Sequence, residues 1–190
     1  MELFTDYIIR PIQESDQTST FKTGNKSFLP LKNFLKNQAL DFEKSMVAQT
    51  YVAKKIDDSE NESSRGIMGF ITLTCSEVDL RNGYTIDDCH HANNYDSLPA
   101  IKIARLAVDA RFKGMKLGQA LVDLAVAIAV EVISKQVGCR FIITDSKKEA
   151  VEFYKKQGFT LLDTEDNKKA ENPIMFIDLL HCSSSQSCLL

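Results

Sequence analysis

A chain of 190 residues, 44% of them apolar, can bury a sizeable core and fits a single domain over residues 1–181 with a flexible tail at 182–190. Its net charge of −3 excludes a global basic field of the kind that grips nucleic acid non-specifically. Five irregularly spaced cysteines (Cys75, Cys89, Cys139, Cys182, Cys188) without a CxxC pair argue against a disulfide framework and point to a reduced, cytoplasmic protein.

In chain order, the opening MELFTDYIIRP lacks a basic segment followed by an apolar one, so no signal peptide is expected. Tyr7 to Ile12 reads as a short strand, with Pro11 near an edge or an end. After a polar run, Phe28, Leu31, Leu35, Ala39 and Phe42 recur at three- and four-residue steps. That spacing predicts a helix from Ser27, with Pro30 in its first turn and Lys32, Lys36 and Asp41 on the outer face. Met46 to Ile56 and Gly66 to Thr74 alternate like paired strands around the polar loop DDSENESSR. Glu77 to Pro99 breaks all periodicity and holds Glu77, Asp79, Asp87, Asp88 and Asp96 against Arg81 alone, which reads as an excursion or a substrate-facing loop.

Ile101 to Leu121 organises the rest. An apolar strand (Ile101 to Val108) turns through Arg111, Lys113, Gly114, Lys116 and Gly118 and runs straight into a long helix, Leu117 to Gln136. Backbone N–H groups, the positive end of a helix dipole and nearby cations together form a seat for a phosphate or pyrophosphate. The helix is apolar around most of its circumference, which predicts near-complete burial against a sheet, and Gly138 stops it. Its longest uninterrupted apolar run, Leu124 to Val130, is too short to cross a bilayer, and no membrane partner is expected. Cys139 to Thr144 is the next strand, parallel to the strand before the helix. Ser146 with Glu149 matches a capping box for a short helix carrying Ala150, Phe153 and Tyr154 and ending at Gly158. Thr160 to Leu162 and Pro173 to Leu180 complete the strands around the polar run DTEDNKKAEN.

The ARLAVDARFKGMKLGQAL stretch closely resembles the coenzyme-A loop of the GNAT superfamily of N-acetyltransferases. Arg105 to Asp109 match the family's strand end, Arg111 and Gly114 its loop, and Gly118 the glycine at the helix start; Lys116 stands where a small residue is usual. Ala150, Phe153, Tyr154, Gly158 and Phe159 match the family's second motif, with Lys147 in place of its asparagine. The resemblance implies an α/β GNAT fold: a central, mostly antiparallel sheet with one splayed parallel pair and helices on both faces. It implies acetyl-CoA as acetyl donor and no metal. Leu106, Ala107, Val108, Arg111, Lys113, Gly114, Met115, Lys116, Leu117, Gly118, Gln119, Ala120, Ser146 and Phe153 then form the cofactor site. Tyr154 becomes the acid that protonates the departing thiolate, with a reference pKa of ~10 against ~8.5 for a thiol.

The expected reaction is direct attack of a primary amine, of a small molecule or peptide, on the thioester. Glu77, Asp79, His90 and His91 are candidates for the base, alongside proton loss through water. Adjacent histidines with Cys89 do not have the spacing of an ordinary metal site. A narrower resemblance, carried by FKTGNKSF, the following helix, TYVA and ARLAVD, is to the GNAT-type toxins of bacterial toxin–antitoxin pairs. It adds aminoacyl-tRNA as an alternative acceptor, with an antitoxin and a second copy of the chain as further partners. The acidic segment before the central strand favours a cationic amine instead. A reading of another class is a non-catalytic acyl-CoA-binding module.

Overall fold

The computed structural model describes residues 7–56 and 66–182. Seven strands, β1 (Tyr7–Pro11), β2 (Gln49–Lys55), β3 (Ile67–Val78), β4 (Leu98–Val108), β5 (Phe141–Asp145), β6 (Thr160–Leu161) and β7 (Ile174–Asp178), lie in the order β1-β2-β3-β4-β5-β7-β6. β4 and β5 are parallel, whereas β1–β2, β2–β3, β5–β7 and β6–β7 are antiparallel. The helices are α1 (Leu29–Asn37), α2 (Ala39–Lys44), α3 (Leu117–Ile128), α4 (Ser134–Val137), α5 (Val151–Lys156), α6 (Glu165–Lys169) and α7 (Leu179–Cys182). The chain packs as two compact units.

The first unit holds the described residues up to Thr74 together with Ala104–Val122. One face of its strands buries Phe21, Phe34, Leu35, Ala39, Val52, Ile67 and Phe70, with Ala107 packed against them. Another cluster joins Ala53, Met68 and Leu117 to Val108, Phe112 and Met115. Gly69 has a packing reason: a Cβ there would stand 3.2 Å from both the Ala107 carbonyl and the Leu121 side chain. The helical pattern from Ser27 resolves into a 3₁₀ turn, α1 and α2, because Gln38 leaves helical geometry at φ −132°.

The second unit holds Cys75–Ile103 and the chain from Asp123 onward. β5 and β7 read as nearly continuous apolar runs because strands covered on both faces have no solvent side to serve. Asn167, predicted only as part of a polar connection, is buried: its Nδ2 donates to the carbonyls of Leu162 and Ile174, and its Oδ1 accepts from the Ile174 N–H at 2.7 Å. That amide ties α6 to the β6–β7 pair.

Four expectations are corrected. The segment Glu77 to Pro99 is not an excursion: Val78, Leu80 and Ile86 are buried with Ala100, Phe141, Ile143, Leu162 and Phe176, and Asn93 closes the loop with two hydrogen bonds to the Ile86 backbone. Its apolar residues are spaced irregularly because they fill a core from a loop. The long helix is less buried than its apolarity implies. A π turn over Ala129–Ile133, marked by the Ser134 N–H reaching back to the Ala129 carbonyl, interrupts it, and Val132 within that turn and Val137 beyond it are 52% and 79% exposed. By length and composition the Leu117–Val137 stretch could span a membrane, but Leu121, Val122, Ala125 and Ala129 are buried against the protein's own core. The capping box does not form at Ser146. The N-cap is one residue later, at Lys147, with the helical run beginning at Lys148, and the Ser146 hydroxyl donates to the Lys147 carbonyl. The last strand also stops at Asp178, and α7 follows. The expected loop at 57–65 and the expected tail at 183–190 lie outside the described residues.

Candidate active site

The loop between β4 and α3 is built on Asp109, which is fully buried. Its carboxylate accepts the backbone N–H of Lys22 at 2.8 Å and that of Arg111 at 2.9 Å, then Nε and a terminal nitrogen of Arg111 at 2.9 and 2.8 Å. Burial alone would raise this carboxyl; the Arg111 guanidinium and the two N–H groups overcome it and hold the group below the usual carboxylate range. Arg111 also reaches the Thr20 carbonyl, so its guanidinium is directed toward Asp109 and Thr20.

Two residues bend the chain from there into α3. Gly114 has φ +93° with nothing within 4 Å of a would-be Cβ, and Lys116 has φ +56°. Lys116 thus adopts the left-handed geometry that a small residue adopts more cheaply, at a cost of about 1–2 kcal/mol. Met115 and Leu117 turn their side chains into the core and leave only backbone for a ligand, while Lys113, Gly114, Lys116 and Gln119 are exposed. The Ala120 N–H bonds the Lys116 carbonyl, so the N–H groups of Leu117, Gly118 and Gln119 are the ones for which an α-helix offers no internal partner. Among the described residues neither Lys113 nor Lys116 is ion-paired. Leu106, Ala107 and Val108 are half-buried at the end of β4.

In the second unit, the parallel ladder of β4 and β5 covers only Ala100↔Phe141 to Lys102↔Ile143. At the next step the Thr144 hydroxyl donates to the Ile103 carbonyl at 3.1 Å, replacing a backbone rung with a side chain. Tyr154, on α5, has its phenol beside Thr144. The phenol is 6% exposed, its ring set edge-on between Phe153 and Phe159 with both centroids at 5.1 Å. Burial pushes it up to about 12, so it stays protonated throughout the physiological range. Thr144 was not singled out by sequence; the signal was a lone hydroxyl ending an otherwise apolar strand. Ser146 is buried, and its N–H and Oγ are engaged by the Pro173 and Lys147 carbonyls.

The candidate bases are not gathered. Asp79 is held at about 2 by Arg81, which makes it a poor proton acceptor near neutrality. Glu77 accepts from Ser97 at 2.7 Å, and His90 and His91 lie exposed on a 3₁₀ turn. Part of the segment's acidity is offset locally: Asp79 and Asp96 share Arg81, and Asp88 pairs with Arg140, which also holds Asp178. Among the described residues no group of three or more His, Cys, Asp or Glu side chains could hold a metal.

A family model described as an acetyltransferase (GNAT) domain matches residues 50–161, more than half of the chain. The chain belongs to the GNAT acetyltransferase family. Its reaction class is therefore acetyl transfer, with acetyl-CoA as donor. Among solved structures, this GNAT chain is similar to AtaT complexed with acetyl-methionyl-tRNAfMet, with TM-score 0.77, 20% identity and coverage of 96% of this chain and 100% of that one. It is also similar to a Tyr-to-Phe mutant of KacT, with TM-score 0.77, 21% identity and coverage of 94% and 98%. A third is a Tyr-to-Phe mutant of the AtaT toxin bound to the C-terminus of the antitoxin AtaR and acetyl-CoA, with TM-score 0.69, 19% identity and coverage of 96% and 99%. At these identities the likeness establishes the GNAT fold.

The loop suits a diphosphate. It has open space at Gly114, two exposed ammonium groups and the N–H end of α3, and its one carboxylate, Asp109, is buried and fully engaged.

Proposed function

We propose that this enzyme transfers the acetyl group of acetyl-CoA to the amino group of an aminoacyl-tRNA. Lys113, Lys116 and the N–H groups of Leu117, Gly118 and Gln119 hold the diphosphate, with Met115, Gly114 and Ala120 lending backbone and space. Arg111 shapes the loop by anchoring Asp109 rather than by meeting phosphate. The backbone N–H groups of Leu106 to Val108 hold the pantetheine and polarise the thioester carbonyl.

The amine nitrogen attacks that carbonyl carbon and the C–S bond breaks. The ammonium proton leaves through water, since Asp79 is too acidic to take it, and the thiolate takes the proton of the Tyr154 phenol. A phenol near 12 gives its proton readily only to a thiolate that is itself desolvated and therefore more basic than in water. An acyl-enzyme is not needed: burial pushes the Cys139 thiol up, away from the reactive thiolate. For the chemistry, the observation that carries this reading is Tyr154, buried on α5 with its phenol beside Thr144, at the point where the β4–β5 ladder ends.

For the acceptor, support comes from the whole-chain likeness to a toxin captured with acetyl-methionyl-tRNAfMet. A run of charge agrees with it: residues 17–40 contain Lys22, Lys26, Lys32 and Lys36 and no carboxylate, a stripe suited to phosphodiesters. A small cationic amine, the second reading, rests on the acidity of residues 77–99, part of which Arg81 and Arg140 offset. The enzyme would then act as a growth-arresting toxin restrained by an antitoxin partner. Incubation with acetyl-CoA and a pool of charged tRNAs, followed by mass analysis of the released aminoacyl-adenosines, should reveal N-acetylated species. Acetylation of polyamines alone, with charged tRNA untouched, would overturn the acceptor assignment.

A further inference from the structure

Five arginines fall among the described residues, and four of them hold a carboxylate: Arg10 with Asp16, Arg81 with Asp79 and Asp96, Arg111 with Asp109, and Arg140 with Asp88 and Asp178. Arg105 is the exception. It is half-buried on β4, and among the described residues it makes neither an ion pair nor a side-chain hydrogen bond. Its guanidinium carbon lies over the ring of Phe34, 3.8 Å from the centroid. Phe34, 2% exposed, is itself fixed edge-on by Phe42 at 5.4 Å.

A guanidinium at this depth loses hydration, and burial lowers its pKa with no anion to offset the loss. The stack on Phe34 compensates part of that cost and orients the plane, but it satisfies none of the five N–H donors. The other four described arginines each hold a carboxylate, so the fifth is set up for an anion the chain does not supply. Two positions in the chain identify it. Arg105 directly precedes Leu106 to Val108, the backbone assigned to the thioester. Phe34 lies on α1, in the carboxylate-free run of residues 17–40, with Lys32 and Lys36 projecting from the other side of that helix. On the proposed acceptor, the anion next to the aminoacyl group is a backbone phosphate.

We propose that Arg105, held on Phe34, is a specificity-determining residue that takes a phosphodiester oxygen at the aminoacylated 3′ end of the acceptor RNA. This rests on the aminoacyl-tRNA reading above. The flat, preoriented fork suits phosphate better than a flexible ammonium does, which distinguishes Arg105 from the lysines around it.

The test compares wild type, Arg105→Gln and Arg105→Lys on two acceptors: a charged tRNA, and the same aminoacyl group on adenosine, which has no phosphate. Arg105→Gln should raise KM for charged tRNA about tenfold or more while leaving KM for the aminoacyl-adenosine and the affinity for acetyl-CoA within twofold. The dependence of log(kcat/KM) on log salt should flatten by roughly 0.7–1 with tRNA. Arg105→Lys keeps the charge and the stem, so it should retain the salt slope and lose only part of the affinity. Equal losses on both acceptors, an unchanged KM for tRNA, or a lysine variant as impaired as the glutamine one would each assign Arg105 to packing and overturn the proposal. Wild type failing to acetylate any charged tRNA would sink the acceptor reading and this inference together, and that result is visible before any variant is compared.

Discussion

The charged stretches on either side of the central strand have opposite fates. Before it, residues 77–99 look strongly acidic, yet Arg81 and Arg140 take up Asp79, Asp96 and Asp88, and the loop's apolar residues join the core. After it, the loop from Asp109 to Lys116 looks merely mixed, yet its one carboxylate is buried under Arg111 and its lysines remain in solvent. The field a ligand meets depends on which charges are paired, and a segment's net charge does not report that.

The contrast is broken most severely by removing the buried anchor. Asp109→Ala leaves the Lys22 and Arg111 donors without their acceptor and should cost about 3 kcal/mol in a denaturant titration, with acetyl-CoA binding lost as well. Next in size, reversing both exposed lysines (Lys113→Glu with Lys116→Glu) should weaken acetyl-CoA binding by about tenfold or more, whereas Asp79→Asn with Asp96→Asn should leave it within twofold. Equal effects from the two pairs would mean that pairing does not distinguish the regions. Lys116→Gly should stabilise the fold by about 1 kcal/mol by relieving the left-handed backbone, while weakening cofactor binding through the lost charge. A stability loss would show that the lysine side chain outweighs its strain.

The smallest effect concerns pH. Arg140 holds Asp88, and Arg81 holds Asp79, at about 2 in the folded chain. A depressed carboxyl contributes stability that is present above its unfolded pKa of ~3.9 and is lost as pH falls through its folded value. Stability should therefore decline between about pH 4 and 2, and Asp88→Asn, which leaves the Arg140–Asp178 pair in place, should flatten the Asp88 share of that decline. An unchanged acid limb would show that the Arg140–Asp88 pair is too solvated to matter.

The features legible in sequence were local ones. The strand, loop and helix from Ile101 to Gln136 follow from periodicity and loop chemistry within a few residues, and the family motif falls there for the same reason. Contacts between distant positions were not legible. Nothing in the spacing announces that Lys22 caps Asp109 across 87 residues, that Arg105 stacks on Phe34, or that Thr144 meets Tyr154. Residues 77–99 defeated pattern reading because a loop that packs its side chains inward has no period. The long helix misled because a π turn changes the phase of an apolar face without any glycine or proline to mark it.

The claim on which the mechanism depends is that Tyr154 gives up a proton during acetyl transfer. Coenzyme A release should be followed in single turnovers of wild type and Tyr154→Phe with preloaded acetyl-CoA and charged tRNA. The phenylalanine variant should bind acetyl-CoA within twofold of wild type and transfer acetyl roughly a hundredfold more slowly. Equal transfer rates would make Tyr154 a packing residue between Phe153 and Phe159 and contradict the mechanism.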